Sequence, residues 1–167
     1  MRRIMAGAFV APLVSTVLLV GLAVVASYAA SMYTVDTAVA AVGGAQTKIL
    51  VDGKGMALYY NTSDTAMQSS CTGGCAKLWP PLLSTTAPTS AQLPGKLAVV
   101  KTGNGSQVSY NGHLLYTYSG DTMPGQTNGQ GVAGKWWVAS VDVKAGSPAS
   151  SATSTGTNTG NTGRYGW

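Results

Sequence analysis

The sequence predicts a small all-β domain built from two duplicated hairpin-plus-loop repeats, preceded by one N-terminal transmembrane α-helix. Three observations predict it. A charge-free apolar run follows Arg2 and Arg3. An Asn111-Gly112 pair stands between two strand-like runs, and a type I′ hairpin turn wants those residues because both central positions need φ > 0. The stretch from Gln107 to Trp137 also echoes an earlier one at a fixed offset of 57 residues (116 − 59).

Composition narrows the class. At 167 residues the chain has room for one domain plus appendages. Only 9% of residues are charged, against ~25% for an ordinary soluble domain. The acids are five Asp and no Glu, so Ser, Thr, Asn, Gln and Gly must supply the polar surface. A net charge of +5 is too small and too scattered to suggest nucleic acid, and no nucleic-acid partner is expected. Low charge with much Gly and Thr suits an exported β protein.

Residues 1–30 form a membrane anchor or signal segment. A spanning helix needs ~20 apolar residues, whereas a signal core needs 7–15 or so. Residues 4–30 exceed the second requirement, which favours a retained anchor with Arg2 and Arg3 in the cytoplasm and the rest outside. Cleavage at Ser27-Tyr28-Ala29 or Ala38-Val39-Ala40 is the alternative, and would release a secreted protein. No Cys stands near the end of the run, so lipid attachment there is excluded. Residues 31–44 read as a linker.

Residues 45–144 carry the duplicated extracellular β domain. In the first copy, residues 48–51 and 56–60 read as strands around Asp52-Gly53-Lys54-Gly55. A loop to Gly74 and a helical turn over 75–79 follow, and Pro80-Pro81 stops any regular element. Residues 84–94 are a Ser/Thr/Pro connector. Residues 96–102 and 107–110 form strands about Gly103-Asn104-Gly105, then 113–118 and 136–143 complete the second copy. The offset aligns Gly55 with Gly112, Leu58 with Leu115, Tyr59 with Tyr116, Asp64 with Asp121, Gly74 with Gly131 and Trp79 with Trp136. So many matches indicate duplication, with the copies packed face to face. Residues 145–167 are almost free of apolar side chains and read as a disordered Ser/Thr/Gly/Asn-rich tail.

Cys71 and Cys75 are the only cysteines. Export favours a disulfide between them, with a metal site and a redox-active dithiol as the alternatives. His113 is the only histidine, too few for the usual copper or zinc ligand sets. No metal or cofactor is expected.

On these residues the chain resembles the secreted-repeat lipoprotein family, named for a Yx(F/W/Y)xxD motif. Tyr116, Tyr118 and Asp121 match it fully. Tyr59 and Asp64 match in the first copy, where Asn61 replaces the second aromatic. Cys71, Cys75, Trp79-Pro80-Pro81 and the Gly125-to-Gly131 loop before Trp136 extend the likeness across residues 49–140. The resemblance implies an exported, envelope-associated protein and no particular reaction. The family's lipid-bearing Cys is missing, which strengthens the membrane-helix reading.

The motif invites chemical readings. Asp64 and Asp121 suit turn caps that accept backbone N–H bonds; an acid/base pair or calcium ligation are the sharper alternatives. Trp79 and Trp136, with the motif tyrosines, suit a core; a sugar-stacking surface is the alternative. Asn61-Thr62-Ser63 and Asn104-Gly105-Ser106 are candidate glycosylation sequons. No catalytic residue is signalled. The leading expectation is a noncatalytic, membrane-anchored envelope module with an envelope protein or glycan as partner. An extracellular filament or surface-layer subunit is one alternative. A copper-handling or electron-transfer accessory using His113, Met123 and the cysteines is the other.

Overall fold

The computed structural model describes residues 33–90 and 92–146. The anchor run 4–30 and residues 147–167 of the expected tail lie outside these residues. Among the described residues, no helix is long and apolar enough to cross a membrane.

The fold is mostly β. Strands β1 (Val35–Val42) and β2 (Ala45–Asp52) form the first hairpin, joined by Gly43-Gly44. Both glycines have positive φ, 58° and 88°, as a two-residue hairpin turn with right-handed strand twist requires. Residues 35–42 therefore correct the linker reading of 31–44. The chain turns at Asp52, whose Oδ1 accepts from the N–H groups of Lys54 and Met56, both at 2.9 Å. It then runs through β3 (Tyr59–Asn61) to the helix α1 (Gly74–Leu78). Trp79 leaves helical geometry at φ −121°, ψ 77°, because the following Pro80 disfavours αR for the residue before it.

The second half repeats the plan. Strands β4 (Leu97–Thr102) and β5 (Gly105–Tyr110) form the second hairpin, followed by the short β6 (His113–Leu114). Asn111 and Gly112 have φ of 50° and 80°, the paired positive values that the Asn-Gly turn predicts. A 3-10 turn at Val132–Gly134 stands where α1 stands in the first copy, and β7 (Trp136–Val138) follows. Three expected strands are shorter than read by two residues or more. The 56–60 run is strand only from Tyr59, and the 113–118 run stops at Leu114 and the 136–143 run at Val138, where the chain changes partner.

The partner changes define the architecture. Leu50 N donates to Ala139 O at 2.8 Å, Ala139 N to Leu58 O at 2.8 Å and Val141 N to Lys48 O at 3.1 Å. The other half mirrors each bond: Val108 N to Leu82 O at 2.8 Å, Leu82 N to Leu115 O at 2.9 Å and Ser84 N to Ser106 O at 2.9 Å. Each copy thus lends its final extended segment to the other copy's hairpin. The copies are interleaved, which corrects the face-to-face packing expected from sequence. Pro80-Pro81 ends the helix but not the regular structure, since Pro81 bridges Tyr116 and opens the exchanged segment.

The mirrored bonds also refine the offset. Leu50 corresponds to Val108 and Lys48 to Ser106, a shift of 58, whereas Leu58 corresponds to Leu115, a shift of 57. The first copy therefore carries one extra residue in the turn between β2 and β3.

Two hydrophobic clusters cover the central strands. Ile49, Val51, Ala57, Tyr59, Leu114, Tyr116, Trp79 and Trp136 belong to one; Leu50, Leu58, Leu115, Val108 and Tyr110 belong to the other. Successive strand residues point to opposite faces, so runs such as Ile49-Leu50-Val51 and Leu114-Leu115-Tyr116 are apolar throughout because both faces are covered.

Candidate functional site

The motif residues meet where the two copies cross. Tyr59 N donates to Tyr116 O at 2.8 Å and Tyr116 N returns to Tyr59 O at 3.0 Å. A residue that pairs with its own counterpart lies on the pseudo-two-fold axis relating the copies. Both tyrosines are fully buried.

From this axis the phenols reach the opposite copy. Tyr59 donates to Asp121 Oδ2 at 2.6 Å, and Tyr116 donates to Asp64 Oδ2 at 2.7 Å. Each carboxylate then ties down the loop behind it. Asp121 Oδ1 accepts from Asn128 N at 2.9 Å. Asp64 Oδ1 accepts from both the N–H and the hydroxyl of Ser70, each at 2.7 Å. The environment holds both phenols protonated. Burial first, then the adjacent Asp121, drives the Tyr59 pKa far above its ordinary value. Burial likewise raises Tyr116, with Asp64 adding to the rise and Ser69 opposing it.

The two loops solve one problem differently. Ser69 Oγ lies 2.8 Å from the Tyr116 hydroxyl, accepts from Cys71 N at 3.1 Å and from Asn104 Nδ2 at 3.0 Å, and donates to Cys71 O at 2.8 Å. At Tyr59 a backbone group takes the matching place: Gly129 N donates to the phenol oxygen at 3.2 Å. Gly129 must approach closely: a Cβ there would lie 2.8 Å from both the Trp79 and the Tyr59 rings. Cys71 and Cys75 form the disulfide, which closes the first loop against the core. Sequence reading missed Ser69 and Ser70, whose only signal was their place in the loop after Asp64. It marked Asn128 and Gly129 only as part of the family-like loop from Gly125 to Gly131, without a role.

The aromatic residues form a stack across the axis. Trp79 and Trp136 lie parallel, centroids 3.9 Å apart and planes 2° off, and both are buried. Tyr118 covers the far face of Trp79 at 4.2 Å. Tyr59 meets Trp79 edge-on at 5.5 Å, and Tyr116 meets Trp136 edge-on at 5.1 Å. The register pairs Asn61 with Trp136. In the second copy Thr117 N and Ser119 N bond Pro80 O and Leu78 O, which puts Tyr118 beside Trp79 in the same way. Asn61 is therefore the position at which the stack lacks a fourth ring.

Other candidates fall elsewhere. Asn61 is only 7% exposed, and its Oδ1 accepts from Ser63 N at 2.8 Å. That corrects its reading as a glycan acceptor on a surface loop. Asn104 spends both Nδ2 protons on Ser69 Oγ and Cys71 O, so a glycan there would break this tie to the disulfide loop. His113 packs on Tyr60 at 4.5 Å, with Nε2 2.9 Å from Lys144 O. A cleft of about 260 Å³ opens beside it, lined by Tyr60, Thr62, Asp64 and Thr65 among others. The disulfide removes both thiolates from the ligand set that the copper reading needs. Among the described residues no group of three or more His, Cys, Asp or Glu is placed to hold a metal ion.

A family model described as a secreted repeat of unknown function matches residues 41–83 and 98–140, together just over half of the chain. The two matched segments repeat at the offset read from the sequence (98 − 41 = 57). No curated protein and no solved structure matches the chain.

Proposed function

The chain belongs to the family of secreted repeats of unknown function, and we propose that it is a noncatalytic module of the cell envelope, held to the membrane by residues 4–30 and displayed outside the cell. One observation carries the noncatalytic reading: the motif side chains satisfy one another. A general acid or base must present its proton or lone pair to a substrate. Here Asp121 is buried, and its two oxygens hold the Tyr59 phenol and the Asn128 amide. Asp64 is spent in the same way on Tyr116 and Ser70. The motif is a clasp between the copies, and the aromatic rings form the core that it closes.

The anchor rests on the length of the apolar run and on Arg2 and Arg3 before it. Fractionation of the native protein tests it: membrane-bound material beginning at or near Met1 is expected. A soluble form starting near Ser31 or Ala41 would contradict the anchor. The second reading, a filament or surface-layer subunit, draws support from the exchanged segments, since strand exchange also joins separate molecules.

A further inference from the structure

The contacts that hold the two copies together are reciprocal. Segment 81–84 completes the hairpin of the second copy, and segment 138–141 completes that of the first. The tyrosine–aspartate bonds, the Tyr59–Tyr116 pair and the Trp79–Trp136 stack all cross the same boundary. None of these contacts depends on the two copies sharing one chain. Only the connector 85–96 makes the exchange intramolecular.

We propose that the boundary between the copies is also an interface for a second copy of this chain, formed by domain swapping. In the swapped dimer the first copy of each molecule clasps the second copy of the other, with every cross-copy bond kept. Repeated without closure, the same exchange gives a linear polymer. The connector decides between the forms. A short flexible linker holds its ends at an effective concentration on the order of millimolar. The isolated chain therefore closes on itself in dilute solution, and swaps when molecules are crowded, as they are when tethered to a surface.

The connector has a minimum length. Ser84 bonds Ser106 on one side of β5, and Leu97 pairs with Tyr110 on the other. Two strand spacings of ~4.8 Å and four residues at ~3.3 Å put those ends roughly 16 Å apart. Deleting residues 86–95 leaves Thr85 and Lys96 between them, and such a bridge reaches only about 11 Å. The shortened chain cannot close on itself.

Light scattering on the purified shortened chain is the test. A folded dimer or larger closed assembly is expected, and a folded monomer would overturn the proposal. The deletion also removes Thr89, whose carbonyl accepts from Val35 N, and Leu93, which packs on the core, so a failure to fold would report those losses and not the swap. A second measurement covers that case. The exposed segment at Thr86 and Ala87 accepts a protease site in the otherwise intact chain. After cutting, the halves should stay together in native mass spectrometry. Isotopically labelled and unlabelled cut protein, mixed, unfolded and refolded, should give hybrids as about half of the complexes. Halves that separate, or refold without hybrids, would overturn the proposal.

Discussion

Tyr59 and Tyr116 occupy the same position in the two copies and bond to each other through both backbone groups, at 2.8 and 3.0 Å. That single pairing places the pseudo-two-fold axis, and the rest of the site follows from it. Whatever the first copy extends across the axis, the second returns. The phenols therefore end on opposite aspartates and the tryptophans on each other.

The tryptophan stack gives the first prediction. Trp136→Ala removes a buried ring that contacts Trp79 and Tyr116, and should cost ~3–5 kcal/mol, the usual range for a large core aromatic. Trp137 is 36% exposed on the opposite face of β7, and its removal should cost much less. Denaturant unfolding of both variants compares them directly. Equal effects would contradict the core role of the stack.

Alkali gives the second. Tyr59 and Tyr116 have folded-state pKa values raised above the ordinary 10.0, chiefly by burial. A group raised in the fold contributes stability that is complete below its unfolded value and is lost as pH rises past that value towards the folded one. Melting temperature should hold from about pH 8 to about pH 10 and fall steadily above it. Phenolate absorbance should appear for these two residues only with unfolding. Their titration at the ordinary value in an intact fold would contradict the buried clasp.

Glycine contacts give the third. Gly129→Ala drives a methyl group into the Trp79 and Tyr59 rings, and should cost about 1–3 kcal/mol through overpacking. Gly131 has open space around it but a φ of 75°, so Gly131→Ala should cost roughly 1–2 kcal/mol through backbone strain alone. The two mechanisms separate in a structural readout. Only the first should disturb the near-ultraviolet dichroism of the stacked indoles.

The disulfide gives the fourth. Cys71–Cys75 closes a ring with a sequence separation of 4, and loop entropy gives so short a ring only about 2 kcal/mol. Reduction should lower the denaturant midpoint without unfolding the domain at room temperature. Complete unfolding on reduction would show that the loop contributes more than chain entropy.

Local chemistry made part of this structure legible in the sequence. The Asn111-Gly112 turn and the helical turn before Pro80 rest on short-range rules, the duplication on residue identities at a fixed offset, and all are present. The 35–42 strand was hidden because it is rich in Ala, a weak strand former, and follows directly on an apolar run. Gly43-Gly44 was the available signal, as a hairpin pair in its own right. The exchange was not legible. An extended segment such as 81–84 carries nothing local to say which copy's hairpin it completes. Asn61 was misread because a polar residue beside Thr and Ser looks like a loop, while its register opposite Trp136 buries it.

The central claim is that the Tyr–Asp motif is a clasp between copies. Double-mutant cycles on unfolding free energy test it most directly, using Tyr→Phe and Asp→Ala changes at Tyr59, Asp121, Tyr116 and Asp64. A hydrogen bond to a charged group is worth ~1.5–3 kcal/mol, so coupling on the order of 1 kcal/mol or more is predicted for the crossed pairs Tyr59–Asp121 and Tyr116–Asp64. The within-copy pairs Tyr59–Asp64 and Tyr116–Asp121 should be additive to within about 0.5 kcal/mol. Strong coupling within a copy and none across would contradict the account.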